Sequence, residues 1–275
     1  MPFATARDGT NLYYTDWASG PTAVLIHGWP LSSEMWEYQR PFLGQHGVRT
    51  IAYDRRGFGK SDQPWGGYGY DTFADDLETV LDATGARDVT LVGFSMGGGE
   101  VARYLTKYGR GRVAKAVLLA AVTPFLLKTD DNPDGADQSV FDGMVAGLNK
   151  DRAQFLAGFG KNHFMASAFG HEAASAETLL QTQQMALMGS PKATIDCVRA
   201  WSQTDFRPDM ASFAGVPTLI IHGTHDKAVP HEGAGQKAHA MIPGSTYSEY
   251  DGAPHGLFVT DKDKLNAELL AFITA

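Results

Sequence analysis

The chain has 275 residues, with 23 Lys+Arg against 31 Asp+Glu and a formal net charge of −8, which excludes the concentrated basic face that displaces counterions from nucleic acid and disfavours an anionic membrane surface. The longest apolar run, Ala116 to Val122, is far short of the ~20 residues that span a bilayer, and Met1 to Gly20 carries Arg7, Asp8, Asn11 and Asp16 in place of a secretory apolar segment, so a cytoplasmic protein is expected. The single cysteine, Cys197, excludes an intrachain disulfide and a thiolate metal cluster and is expected to be a small buried filler.

Thr10 to Trp17 alternates polar and apolar residues and predicts an antiparallel hairpin at the N-terminal edge of a sheet. Thr22 to Ile26 is continuous rather than alternating, as in a central strand buried on both faces. Val48 to Tyr53, Val89 to Phe94, Ala114 to Ala121 and Val216 to His222 read the same way. Amphipathic segments lie between them: Ser33 to Leu43, Thr72 to Thr84 with Thr72 and Asp75 as a capping box, and Met96 to Tyr108. A last helix is expected over Lys262 to Ile273. Repetition of strand, helix and strand predicts an α/β fold with a mostly parallel central sheet flanked by helices.

Between Pro124 and Pro208 the alternation stops. Phe155, Phe159, Leu179, Leu180, Met185 and Leu187 fall there at helical spacing, with no strand-like run among them. Residues 1–123 and 209–275 are therefore expected to form the core of one domain, and residues 124–208 a helical cap inserted between two core strands. At the carboxyl end of a sheet such a cap covers the crevice where α/β proteins bind ligands.

One motif carries chemistry. Gly93-Phe94-Ser95-Met96-Gly97 directly follows a predicted strand and opens a predicted helix, the context in which a sharp turn lifts a serine hydroxyl above the sheet. A serine is a poor nucleophile at neutral pH and needs a base, which in turn needs an orienting carboxylate. After such a turn the acid and then the histidine follow in chain order. Asp226 lies just past the strand Val216 to His222, and His255 lies in the turn-rich loop Asp251 to Gly256 before the last helix. Asp251 is the rival acid, but its place in the histidine's own loop suits a turn former. An oxyanion needs two preorganised N–H donors. Met96, next to the nucleophile, supplies one, and Trp29 in the loop His27-Gly28-Trp29-Pro30 supplies the other, because Pro30 has no N–H. His27 is read as a ring that hydrogen-bonds this loop.

His27-Gly28-Trp29-Pro30, Asp54-Arg55-Arg56-Gly57-Phe58-Gly59-Lys60-Ser61, Gly93-Phe94-Ser95-Met96-Gly97-Gly98-Gly99, His222-Gly223-Thr224-His225-Asp226 and Ala253-Pro254-His255-Gly256 together resemble the α/β-hydrolase superfamily. More narrowly the chain resembles the bacterial arylesterases and cofactor-free, non-haem haloperoxidases, also called perhydrolases. Asp71 to Asp76 and Thr204 to Met210 support that placement, and the similarity weakens from about Leu126 to Leu180. The resemblance implies a Ser95–Asp226–His255 triad that hydrolyses small, often aryl or acetyl-type, esters without a cofactor. It also implies a side reaction in which hydrogen peroxide replaces water on the acyl-enzyme and a peracid leaves to oxidise halide. Related enzymes open lactones or cyclic amides, C–C bond hydrolases share the triad, and many relatives form homo-oligomers. Dehalogenases and epoxide hydrolases of this fold use an aspartate nucleophile, so Ser95 excludes them. A ligand receptor with a vestigial triad is the reading of a different class.

Pro30 resembles the perhydrolase members, where plain esterases often carry a bulkier apolar residue. Two readings stand for it: fixing φ there turns the Trp29 carbonyl toward the pocket, where it accepts a hydrogen bond from peroxide, or Pro30 only stiffens the turn. Pro30, Phe94, Phe125, Phe159, Phe164, Ala228 and Val229 are the expected pocket residues. His222, His225 and His231 invite a metal, but they surround the triad acid and are read as surface or loop histidines, with no metal site expected. His163 and His171 are read as solvent-facing cap residues, and Asp130, Asp131 and Asp134 as a solvated cap loop.

Overall fold

The computed structural model describes residues 2–168 and 174–275, so His171 lies outside the described residues. Eight strands form one sheet: β1 (Phe3–Thr5), β2 (Asn11–Trp17), β3 (Thr22–Ile26), β4 (Arg49–Tyr53), β5 (Val89–Phe94), β6 (Val113–Leu119), β7 (Thr218–Gly223) and β8 (Thr246–Tyr250). Their spatial order is β1-β2-β4-β3-β5-β6-β7-β8. The hairpin β1–β2 and the β2–β4 pair are antiparallel, and every other pair is parallel. Sequence and structure differ at β8. Its residues Thr-Tyr-Ser-Glu-Tyr bury only Tyr250 fully, so this edge strand lacks the apolar run by which the central strands declare themselves.

Alternate residues of the central strands feed two cores. Val89 and Leu91 of β5 face α2 (Tyr70–Thr84) and α3 (Met96–Tyr108) in one core. Val92 and Phe94 face Trp36, Leu43, Leu265 and Leu269 in the other. The helices of that second face are α1 (Gln39–Gln45) and, at the C-terminus, a helix over Lys262–Thr274.

Two helical expectations change in detail. Ser33 to Leu43 divides into a 3-10 turn, Ser33–Trp36, and α1. Pro41 lies in the first turn of α1, where its missing N–H is tolerated, but it cannot continue a helix running from Ser33. α2 starts at Tyr70, with Gly69 at its N-cap and no side-chain cap, so the Thr72–Asp75 box is not formed. Tyr70 and Phe73 enter the core, and Asp71 in the first turn pairs with Arg103 at 2.7 Å; packing, not capping, sets where this helix begins.

Between β6 and β7 lie α4 (Gln138–Phe159), which runs into a π turn over Gly160–Phe164, then α5 (Ala176–Leu187) and α6 (Pro191–Gln203). α7 (Gly235–Met241) follows β7, and α8 (Leu257–Thr260) and α9 (Lys262–Thr274) close the chain. Among the described residues no helix is long and apolar enough to cross a membrane.

The sheet order fixes where a ligand can sit. β3 and β5 are neighbours, with Ile26 level with Gly93. The chain leaves β3 toward β4 on one side and leaves β5 toward β6 on the other. At such a switch point the two loops diverge and open a crevice beyond the strand ends. The loops are residues 27–30 and the turn at Ser95.

Candidate active site

Ser95 joins β5 to α3 with φ 52° and ψ −119°, a conformation that a non-glycine residue adopts only where its surroundings over-determine it. Its N–H donates to the Leu119 carbonyl at 2.9 Å, and its own carbonyl accepts from Gly98 at 2.9 Å and from Val122 at 3.2 Å. The turn closes because its neighbours lack side chains: a Cβ on Gly97 would fall 2.6 Å from the Ile26 carbonyl oxygen. Across the crevice, a Cβ on Gly28 would fall 2.9 Å from Ser95 Cβ and 2.6 Å from the Phe94 ring. The loop after β3 is thus pressed directly against the serine.

The acid and the histidine come from the loops after β7 and β8. His255 Nε2 is 2.9 Å from Ser95 Oγ, and His255 Nδ1 is 2.6 Å from Asp226 Oδ2. All three side chains are nearly enclosed, at 6%, 2% and 6% relative exposure for Ser95, His255 and Asp226. The two loops are stitched together by His225 N–H donating to the Ala253 carbonyl at 3.0 Å and by Gly252 N–H donating to Thr224 Oγ1 at 2.7 Å. Asp251 accepts from Thr224 Oγ1 at 3.3 Å and makes no bond to His255. Beneath the imidazole lies the Phe94 ring (4.9 Å between centroids), and the Phe164 ring meets it edge-on at 5.0 Å.

Asp226 is over-supplied with donors. Oδ1 accepts from the N–H groups of Ala228 (2.9 Å) and Val229 (2.7 Å), while Oδ2 lies against both His255 and His222. Burial alone would raise the carboxyl's pKa. The facing charge of His255 and the hydrogen bonds of the two histidines outweigh it and hold Asp226 well below the usual carboxylate range.

The loop 27–30 is braced by a buried polar cluster. His27 Nδ1 is 2.9 Å from the Gly28 carbonyl, and Nε2 accepts from Arg55 N–H at 2.9 Å. Burial and the neighbouring Arg55 charge push the His27 pKa well down, so the ring is neutral. Arg55 also donates to the His27 carbonyl and pairs with Glu100 at 2.8 Å, both side chains fully buried. The Trp29 side chain is anchored by an Nε1–H bond to the Thr194 carbonyl at 2.9 Å. The backbone N–H groups of Trp29 and Met96 engage no acceptor among the described residues. Trp29–Pro30 is a cis peptide bond.

Above the site lies a cavity of about 530 Å³, with Phe125, Phe141, Met144, Phe155, Phe159 and Trp201 as its apolar walls. Ser95 and His255 do not line it. It borders the site at Phe159, whose ring contacts Trp29 at 5.4 Å and Phe164 at 6.3 Å, and at Lys227 and Ala228 just after Asp226. Of the expected pocket residues, Phe125, Phe159 and Ala228 line this space. Phe94 and Phe164 pack on the His255 ring instead, Pro30 is buried in its loop, and Val229 is spent on Asp226.

Three surroundings differ from expectation or sharpen it. His222 is neither a surface nor a loop residue: it ends the inward face of β7 at 0% exposure. His163 is exposed as expected, yet it stacks on Phe159 at 5.5 Å and lines the cavity. Cys197 is fully buried, and burial pushes its thiol up to about 12. Sequence reasoning did not single out Glu100 or a role for Arg55 and His222. The position of His222, at the end of a strand and four residues before the acid, is the signal that was available.

A serine on a strand–helix turn at the carboxyl edge of a mostly parallel sheet, with histidine and acid on two later loops, is the arrangement of the α/β hydrolases. A family model described as the alpha/beta hydrolase fold matches residues 21–262, and the chain belongs to that family. It is 41% identical over 275 residues to the non-heme chloroperoxidase CPO-A1 of Kitasatospora aureofaciens, covering 99% of each chain. It is 39% identical over 275 residues to the bifunctional esterase/perhydrolase DCH of Acinetobacter calcoaceticus, again covering 99% of each. Among solved structures, the bromoperoxidase of Bacillus anthracis superposes with a TM-score of 0.95 at 46% identity, covering 100% of both chains.

Proposed function

We propose that the protein is a serine carboxylic-ester hydrolase of the arylesterase type that also accepts hydrogen peroxide in place of water. The observation that carries this reading is the unbroken chain from Ser95 Oγ to His255 Nε2 (2.9 Å) and from His255 Nδ1 to Asp226 Oδ2 (2.6 Å). The relatives named as a chloroperoxidase and as an esterase/perhydrolase support the peroxide branch.

His255 Nε2 takes the Ser95 proton as Oγ attacks the ester carbonyl. The resulting oxyanion accepts from the N–H groups of Trp29 and Met96, which are held in place before the substrate arrives. His255 passes the proton to the leaving alcohol or phenol, and Ser95 remains acylated. Water or hydrogen peroxide then gives one proton to His255 and attacks the acyl carbon. When that intermediate collapses, Ser95 Oγ recovers the proton and the carboxylic acid or peracid leaves. A peracid transfers its terminal oxygen, with its proton, to halide in solution, yielding hypohalous acid and the carboxylate. Asp226, kept ionised by its donors, holds the imidazole in the Nδ1–H tautomer and offsets the imidazolium charge.

Hydrolysis of p-nitrophenyl acetate by wild-type, Ser95→Ala and His255→Ala protein tests the reading. Each substitution is expected to lower kcat by at least about a thousandfold, and near-normal turnover by either variant would overturn it. With acetate ester and peroxide, Pro30→Leu is expected to lower the ratio of perhydrolysis to hydrolysis. An unchanged ratio removes Pro30 from the peroxide step.

A further inference from the structure

His222 touches neither Ser95 nor any position where substrate carbonyl chemistry occurs, yet it stands on the triad acid. Its Nε2 is 2.9 Å from the Val229 carbonyl oxygen and 3.2 Å from Asp226 Oδ2. Both of those atoms are acceptors when the carboxylate is ionised, so Nε2 must carry the proton. Its other nitrogen, Nδ1, is buried without a hydrogen-bond partner among the described residues. A Cβ on Gly235 would fall 2.6 Å from that atom, so the backbone of α7 closes over it. A proton on Nδ1 would be buried with no acceptor, which is costly. The geometry therefore selects the neutral Nε2–H tautomer.

That single N–H spans the turn 226–229. It bonds the Val229 carbonyl and faces the carboxylate at 3.2 Å, while the Val229 N–H returns a bond to Asp226 Oδ1. The turn and the carboxylate are thereby locked as one unit. His255 is the other histidine on Oδ2. The remaining titratable neighbours are His231, in the segment before α7 with its ring 6.5 Å from His222, and Glu249, paired with His222 across the β7–β8 ladder and 3.9 Å from His231. From β6, Leu119 pairs alongside Ile221, and from α7 Gly235 and Ala238 pack against this side.

We propose that His222 is a positioning residue: through its Nε2–H facing Asp226 Oδ2, it fixes the carboxylate's orientation and shares the oxygen that holds the His255 proton. The inference rests on the assignment of Asp226 as the triad acid. Sharing that oxygen has a consequence for pH. Without the His222 N–H, the carboxylate has one partner fewer and grips the proton on His255 more tightly. The base is then freed only at higher pH.

The experiment compares His222→Leu, which removes the donor, with His222→Gln, whose amide N–H reaches the Nε2 position. In His222→Leu we expect kcat for p-nitrophenyl acetate to fall about tenfold with KM little changed, as when a group orienting a catalytic side chain is lost. The acid limb of its kcat/KM profile is expected to move up by about one pH unit, the size of one hydrogen bond to a charged group. His222→Gln should restore most of both. Wild-type kcat and acid limb in His222→Leu overturn the proposal. So does a loss shared equally by both variants with no movement of the limb, which marks a merely structural residue. Should neither variant fold, ¹⁵N spectra of the wild-type imidazoles at neutral pH decide: His222 should carry its proton on Nε2 with Nδ1 bare, and a ring protonated on Nδ1 overturns the proposal. Asp226→Asn, assayed alongside, separates the two claims, because retained activity there overturns the acid assignment and not the bond between His222 and residue 226.

Discussion

The His27 ring donates from Nδ1 to the carbonyl of Gly28 at 2.9 Å, and that bond decides where the next N–H points. The Gly28–Trp29 peptide is trans, since among the described residues the cis bonds precede Pro30 and Pro124. In a trans peptide the carbonyl and the following N–H lie on opposite sides. With Gly28 oxygen held by His27 and by Leu31 N–H at 3.0 Å, the Trp29 N–H is turned the other way, free for an oxyanion. His27→Phe, which keeps the ring but loses the donor, is expected to lower esterase kcat about tenfold with little change in KM. His27→Asn, whose amide reaches the Nδ1 position, should recover part of the loss. A wild-type kcat in His27→Phe would show that the loop holds its shape without this bond.

Asp226 links the site to stability. Its carboxyl is held well below the usual range in the folded protein, whereas in the unfolded chain it titrates near ~3.9. A depressed folded value means that the stabilisation is fully present above the unfolded value and is lost as pH falls toward the folded one. The gap in melting temperature between wild type and Asp226→Asn should therefore be constant from about pH 8 to pH 5 and narrow only below about pH 4. At neutral pH the same variant should keep its fold and lose about 10⁴-fold in kcat, because the imidazole loses its orienting partner. A gap that already closes between pH 7 and 5 would mean that another group carries the effect.

The hydrogen-bonded set Ser95, His255 and Asp226 was legible in the chain as a candidate because each residue sits at a boundary between a strand and a turn, where glycine and proline mark sharp bends. The strands β3 to β7 could be read because burial on both faces demands an unbroken apolar run. β8 escaped, since an edge strand needs to bury only one residue, Tyr250. His222 escaped for a related reason. A polar residue inside an apolar strand looks like the strand's end until the turn after it is seen to fold back, bringing Val229 and Asp226 over the ring. The cap walls were partly legible. Aromatic spacing marks Phe159, but which phenylalanine faces the cavity and which packs on His255 depends on the π turn at Gly160–Phe164, a local register change that periodicity does not announce.

The buried pair Arg55–Glu100 gives a stability prediction that is independent of catalysis. Both side chains are fully enclosed, and Glu100 Oε1 has no partner among the described residues. Removing one partner strands the other charge, so Glu100→Ala is expected to destabilise by about 3–5 kcal/mol. The double variant Arg55→Met, Glu100→Met leaves no stranded charge and should lose less than either single variant, a coupling that chemical denaturation measures directly. Additive losses would mean that the two side chains stabilise the fold separately. Because Arg55 also donates to the His27 carbonyl, the double variant should still show a lowered kcat.

The cavity wall at Met144 tests whether the space under the cap receives the substrate's acyl chain. Met144 lies on α4 and lines the cavity beside Phe141 and Phe155. A two-carbon acyl group is too short to extend into that volume, whereas an eight-carbon chain leaving Ser95 past Phe159 would meet its apolar walls. Met144→Trp fills part of the cavity from its partly exposed wall, where overpacking is tolerated better than in the core. We expect kcat/KM for p-nitrophenyl octanoate to fall about tenfold relative to acetate, with acetate turnover close to wild type. Phe155→Ala, which enlarges the same space, should shift the ratio the other way. An octanoate-to-acetate ratio unmoved by both substitutions would place the acyl chain elsewhere and leave the cavity to the alcohol portion of the ester.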